Sequence, residues 1–318
     1  MKAAILLGLL MLLPLRGDVQ GVDAARELYE RGKFQGAADL LSSLIRQSPK
    51  DVDLRIWYGK TCLKLRRWDL AVQEFDRAVE LDPQKGQNHL WLARAYGNKA
   101  QHSWLSAIPS AGKARKEFET AAQLSPANVD IRFDLLEFYA QAPGFLGGGR
   151  EKAAAQAEAI ARLSPRLGYT ARAEIYQNDK EWDRARQELI QATLKFPNDA
   201  GGHADLAGFL LQRRDYEGAE ASAQKALALD GSLRGARLIL AAAQVALHRN
   251  VPGALQVLQE LAAGPLTEND PSFEEVNYWL GQAYLAQGQK AEARQAFQTS
   301  LGFDPDYSRS KDALAQIR

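Results

Sequence analysis

The sequence predicts an all-α protein, a right-handed solenoid of about eight helical hairpins closed by a C-terminal capping helix. Three observations carry this. First, Pro49, Pro83, Pro126, Pro165 and Pro197 each follow an apolar, helix-like run, and Leu229-Asp230-Gly231 and Phe303-Asp304-Pro305 continue the series. Second, successive spacings are 34, 43, 39, 32 and 34 residues, then 74 from Gly231 to Pro305, so the unit is 34 residues with insertions. Two helices of about 12 residues and two short turns fill such a unit. Third, small and large residues recur in register within the units. A composition of 46% hydrophobic and 25% charged residues suits a chain with large buried cores.

The elements follow in order. Lys2 precedes the apolar stretch Ala3 to Leu15, whose 13 residues fall short of the roughly 20 that a membrane-spanning helix needs and suit a secretory signal. Residues 1–21 are therefore expected to be a signal peptide cleaved after Gly21. Gly17 or a later site are alternatives for the cleavage, and an uncleaved inner-membrane anchor is the competing reading. The repeat array is expected over residues 22–318. Its units run approximately 22–51, 52–85, 86–128, 129–165, 166–199, 200–233, 234–273 and 274–307, and the polar residues 308–318 form the capping helix. The seventh unit is degenerate around Val251-Pro252-Gly253.

The register is clearest from Asn277 to Pro305, which carries Trp279-Leu280-Gly281, Tyr284, Gly288, Ala293, Phe297 and Pro305. The second unit has Tyr58-Gly59, Ala71, Phe75, Ala78 and Pro83 at the same offsets, and the third has Leu92-Ala93, Tyr96, Ala114, Phe118, Ala121 and Pro126. This pattern resembles the tetratricopeptide repeat, over nearly the whole of residues 22–318. The resemblance implies a solenoid of tetratricopeptide-like hairpins and a role in protein binding. The physics of the spacing agrees: Gly or Ala lets the helices of a hairpin approach closely, and large residues fill the space beside the contact. Proline stops the second helix, and each hairpin buries its apolar face only by stacking on its neighbours.

The chemical signals are mostly negative. Forty Lys plus Arg against 39 Asp plus Glu does not point to nucleic acid. Cys62, His89, His102, His203 and His248 show no metal-ligand grouping, so neither a metal nor another cofactor is expected. No Gly-x-Ser-x-Gly or His-Glu-x-x-His motif is present, no catalytic residue is assigned, and Cys62 falls on a packing position as a buried thiol. The run from Pro143 to Lys152 (Pro-Gly-Phe-Leu-Gly-Gly-Gly-Arg-Glu-Lys) lacks the preceding strand and the Lys-Ser or Lys-Thr of a phosphate-binding loop. It is a plain loop, or one whose backbone amides, beside Arg150 and Lys152, hold an anion or a partner carboxylate.

Two surfaces are candidates for partner binding. Unit three carries nine extra residues within Gly97 to Lys113 and unit four carries five within Gln141 to Arg150, both at the turn between the paired helices. Stacking places these inserted loops side by side, with Trp104, Leu105, Ile108, Phe145 and Leu146 forming an apolar cluster near Lys113, Arg150 and Lys152. The alternative is that the loops pack on each other or cover the groove. The second surface is the concave face, lined by the first helix of each unit. Register puts there Trp57, Lys60 and Lys64, then Trp91, Arg94 and Asn98, then Phe133, Asp134 and Glu137, then Glu174 and Asn178, and finally Tyr278, Trp279 and Gln282. Aromatic and Arg residues often anchor interfaces, and a change from basic to acidic along the face could orient an extended peptide. Alternatively, Trp57, Trp91 and Trp279 merely fill between units.

The expected function is a non-catalytic, exported, periplasmic or extracellular scaffold of a bacterial envelope. Its partner is a protein or peptide, with no nucleic acid and no membrane span in the mature form; oligomeric state is left open. The alternative is a permanent structural subunit of an envelope assembly or secretion complex, and a hydrolytic enzyme is a remote one, since Asp134 and Glu137 at i, i+3 are too common a helical pattern to carry it.

Overall fold

The structure, a computed structural model, describes residues 17–102 and 106–317. The described residues form helices and one 3-10 turn, with no strand among them. They pair as hairpins: α1 (Gly17–Glu30) with α2 (Phe34–Gln47), α3 (Val52–Lys64) with α4 (Trp68–Leu81), α5 (Gly86–His102) with α6 (Ala107–Leu124), and α7 (Val129–Gln141) with α8 (Arg150–Leu163). The series continues with α9 (Pro165–Asn178) and α10 (Trp182–Lys195), α11 (Ala200–Gln212) and α12 (Tyr216–Leu229), α13 (Arg234–Ala246) and α14 (Val251–Ala263), and α15 (Phe273–Ala286) and α16 (Lys290–Phe303). Helix α17 (Ser308–Gln316) closes the array. The expected signal segment lies mostly outside the described residues, and α1 runs through the expected cleavage position at Gly21.

The turn inside each regular hairpin is reversed by one residue in the left-handed region. These are Gly32, Arg66, Lys180, Arg214, His248 and Gly288, with φ between 53° and 76°. Four of the six are not glycine, so backbone strain of about 1–2 kcal/mol per residue is held in place by the hairpin packing. Between hairpins most connections have four residues, and an Asx side chain ends several of them as a helix cap: Asp51 accepts from Leu54 N–H at 3.1 Å, Asn128 from Ile131 at 3.1 Å and Asp199 from Gly202 at 2.7 Å. The connection from α8 to α9 is the single residue Ser164, and Pro165 starts α9 instead of following a finished turn.

A second device recurs at these connections. A side chain four residues after the cap position reaches back to the proline carbonyl six residues earlier: Arg55 to Pro49 (2.6 Å), His89 to Pro83 (3.0 Å), Arg132 to Pro126 (2.6 Å) and His203 to Pro197 (3.0 Å). Two of the four histidines are thus structural ties. Within the hairpins, close approach needs glycine at two equivalent positions. A Cβ on Gly59 would lie 2.5 Å from the Phe75 ring, and one on Gly281 would lie 2.5 Å from Phe297. Both phenylalanines are fully buried. Cys62 is also fully buried, and burial pushes its thiol up to about 12, which leaves it an inert core group.

The first insertion departs from expectation. The extra residues of unit three extend α5 to 17 residues and α6 to 18, so the described part of that insertion is helix and not loop. Lys113 and Ile108 lie on α6, with Lys113 over the Tyr96 ring at 5.1 Å. The second insertion is a loop, with a 3-10 turn at Gly144–Leu146.

The array curves until its ends meet. Phe34 packs edge-on against Phe273 (6.0 Å) and Phe303 (6.1 Å), which stack on each other at 4.7 Å. Arg66, in the turn of the second hairpin, donates to Asp306 at 2.6 Å. One hydrophobic cluster therefore joins residues of α1 and α2 to residues of α13 to α15.

Candidate functional site

The interior of this curve is lined by the first helices of the hairpins. Across it runs the connection from α14 to α15, residues 264–272 (Gly-Pro-Leu-Thr-Glu-Asn-Asp-Pro-Ser). Its nine residues compare with four in most other connections between hairpins. The surplus was present in the sequence, where the Gly231 to Pro305 spacing exceeds two 34-residue units by six, but no motif marked where it lay.

This strap is tied at both ends. On the C-terminal side, Arg234 of α13 pairs with Asp270 at 3.1 Å and donates to the Pro265 carbonyl. Asp270 in turn accepts from the Thr267 N–H and hydroxyl, both at 2.8 Å, which fixes a turn. On the N-terminal side, Leu266 is buried and its N–H donates to the Glu30 carbonyl of α1 at 2.6 Å. Glu268 Oε1 lies 2.8 Å from Lys60 Nζ.

Lys60 is the centre of the basic half of the groove. Its ammonium sits 4.3 Å from the ring centroids of both Trp57 and Trp91, so two indole faces sandwich it. Arg26 covers the other part of Trp57 at 4.8 Å, and Arg94 lies over Trp91 at 4.5 Å. Burial pushes the Lys60 ammonium down, and the hydrogen bond and charge of Glu268 pull it back up. A cavity of 410 Å³ remains here, bounded by Lys60, Lys64, Trp91, Arg94 and Asn98 on one wall and by residues 266–268 and 270–273 on the other.

Beyond Arg94 the groove turns acidic. Arg94 holds Asp134 by two bonds, Nε to Oδ2 at 2.5 Å and Nη2 to Oδ1 at 3.2 Å. Glu137 accepts from Gln141 at 2.8 Å, and enclosure by the groove followed by the Asp134 charge push its carboxyl up. Glu174, facing both, is raised to about 8, first by burial and then by the charges of Glu137 and Asp134. No donor reaches its carboxylate among the described residues. On the far side of the strap a second cavity of 700 Å³ opens, lined by α9, α11 and α13 and by the start of α17. Asp205 is fixed there by Arg166 at 2.5 Å and Thr170 at 2.7 Å.

The remaining concave residues take other places. Trp91 and Trp279 are only 7% and 6% exposed; Trp279 contributes mainly packing, whereas Trp91 stacks on Phe75 and presents its other side to Lys60 and the cavity. Phe133 packs on the core of units three to five. Asn98 and Asn178 turn their amides back to the helix carbonyls of Arg94 (2.9 Å) and Glu174 (3.1 Å). Tyr278, beside Gln282, touches Trp279 and Phe297, away from the strap.

On the inserted-loop edge, Trp104 and Leu105 lie outside the described residues. Ile108 and Phe145 are 63% and 77% exposed, and Leu146 is half-buried. Arg150 is engaged by Asp179 (2.6 Å) and Glu181 (2.7 Å), and Lys152 donates to the Gly147 carbonyl at 2.8 Å. Both cations therefore stabilise the loop and its neighbour. Sequence reasoning missed Leu266 and Glu268, which reach α1 and α3 only because the array closes, Tyr29, which lines the same cavity, and Arg234, which anchors the strap from the neighbouring hairpin. No group of three or more His, Cys, Asp or Glu that could hold a metal ion occurs among the described residues. Nor is any described helix long and apolar enough to cross a membrane.

A helical array with this groove is a repeat scaffold of the kind that binds proteins. The chain belongs to the tetratricopeptide repeat family, whose models match residues 22–85, 170–234 and 249–317. It is similar to yeast Tom70 in crystal structure, with a TM-score of 0.61 and 16% identity over 94% of this chain. It spans 62% of the length of that protein, and the likeness shows the shared fold. A thermophilic tetratricopeptide repeat protein of Thermus thermophilus matches with 21% identity and a TM-score of 0.48, covering 61% of this chain and 99% of the other. A tetratricopeptide repeat protein from Parabacteroides merdae matches with 12% identity and a TM-score of 0.47, covering 95% of this chain and 98% of the other.

Proposed function

We propose that the protein is a non-catalytic scaffold, exported to a bacterial envelope, that grips an extended polypeptide segment in its concave groove. The observation that carries this reading is the site at Lys60. Two tryptophan faces and a largely buried ammonium hold a carboxylate of a proline-flanked segment, and here that segment is the chain's own strap. Aromatic and cationic side chains in a preformed pocket lower the ordering cost of binding a flexible segment. The run of charge from Lys60 and Arg94 to Asp134 and Glu137 gives the groove a direction. Export rests on the apolar stretch from Ala3 to Leu15.

The test is a display selection of random twelve-residue peptides on the full chain, followed by affinity measurement on Trp91→Ala and on Phe145→Ala. Loss of affinity in Trp91→Ala with none in Phe145→Ala supports the groove. The reverse pattern moves the site to the inserted-loop edge and overturns the reading. Export is tested separately by fractionating cells that express the full chain and sequencing the N-terminus of the product.

A further inference from the structure

The strap is a poor candidate for a passive connector. An ordinary four-residue turn joins most neighbouring hairpins here, whereas the connection from α14 to α15 has nine residues. The surplus residues leave the stack and enter the groove. Glu268 takes the ammonium of Lys60, and Leu266 forms a backbone bond with α1. The segment is flanked by Pro265 and Pro271, turns at Glu268 and Asn269, and carries two carboxylates, Glu268 and Asp270. One of these is neutralised from its own side of the ring by Arg234. The other is offered to the opposite wall, where Lys60, Lys64, Arg94 and Arg26 make the surface basic.

We propose that residues 264–272 are an intramolecular occupant of the groove, displaced when an acidic extended polypeptide places its own carboxylate on Lys60 between Trp57 and Trp91. The inference rests on the groove-binding reading and adds the partner's chemistry and the device that restrains it. An attached segment competes at an effective concentration in the millimolar range for a short linker. A groove free of its strap for only about a tenth of the time binds the competitor about tenfold more weakly than an open one. Removing Glu268 from Lys60 therefore raises affinity for an acidic peptide without adding any contact. The same closure joins the first hairpin to the last, so displacement also loosens the ring.

The probe is the strap itself, a fluorescent peptide of sequence Gly-Pro-Leu-Thr-Glu-Asn-Asp-Pro-Ser, titrated by anisotropy into three full-length proteins. These are the native chain, Glu268→Gln, and a chain in which residues 266–270 are replaced by Gly and Ser. The expected result is weakest binding to the native chain, several-fold tighter binding to Glu268→Gln, and about tenfold tighter binding to the replaced strap. Adding Lys60→Ala abolishes binding, and a peptide with Gln for its Glu binds more weakly. Circular dichroism of each variant checks folding, and the point variant Glu268→Gln keeps the test valid if the replaced strap does not fold. Equal affinity for native and Glu268→Gln chains, or no binding to any of the three, overturns the inference. The groove reading fails separately, if peptides selected on the full chain bind Trp91→Ala as well as they bind the native protein.

Discussion

Glu174 allows a sharp test of the groove's electrostatics. Its carboxyl is raised from the usual 4.5 to about 8 by burial and by the charges of Glu137 and Asp134. A folded-state value above the unfolded one means that the native protein holds a proton which the unfolded chain releases. Stability from this group is therefore fully present below about pH 4.5 and is lost as pH rises towards 8. At about 1.4 kcal/mol per unit, the whole shift corresponds to about 5 kcal/mol. Glu174 keeps some contact with solvent and Arg94 holds the neighbouring Asp134 at 2.5 Å, so screening reduces the observable loss to about 2 kcal/mol. Glu174→Gln removes the titration while keeping the shape. It is expected to match the native protein at pH 5 and to be more stable at pH 8.5, by about 4 °C in melting temperature for a chain of this size. The assay is thermal melting of both proteins by circular dichroism at half-unit steps from pH 5 to 9. Parallel curves, with a constant gap between the proteins, would refute the argument.

Three further outcomes follow from the packing. Lys180→Gly relieves a left-handed φ of 60° and is expected to stabilise by about 0.5–1 kcal/mol after glycine's own entropy cost, read from chemical denaturation. Phe303→Ala removes the ring that stacks on Phe273 and covers Gly32; it is expected to cost about 3 kcal/mol and to increase the radius of gyration in small-angle X-ray scattering as the ends separate. Asp51→Ala deletes the cap on Leu54 N–H and should cost about 1 kcal/mol in the same denaturation assay.

The hairpin array was legible because its determinants are local. Prolines after helical runs, and small residues opposite Phe75 and Phe297, repeat at a period that the chain itself displays. What depends on closure was not legible. Lys60 could be placed on the concave face from its register, but its partner Glu268 is 208 positions away and is brought to it by the accumulated curvature of the six hairpins from α3 to α14. The strap shows no periodicity, and its effect in the sequence is a six-residue surplus in one spacing. The insertion of unit three was expected as a loop because it breaks the repeat. Its described residues instead continue α5 and α6, which lengthen together as neighbours without disturbing the stack. Arg150 and Lys152 carried the composition of a binding loop, yet both are used within the fold. Composition alone does not separate a cation that waits for a partner from one that already has it.

The central claim is that the strap is held across the groove by the Lys60 site. The most direct measurement is the exchange rate of the Leu266 amide hydrogen, which donates to the Glu30 carbonyl at 2.6 Å, in the native chain and in Lys60→Ala. Protection in the native chain that falls about tenfold in the variant, while the amides of α5 and α11 are unchanged, is the predicted result. A Leu266 amide that exchanges in the native chain as fast as an open loop would contradict the account.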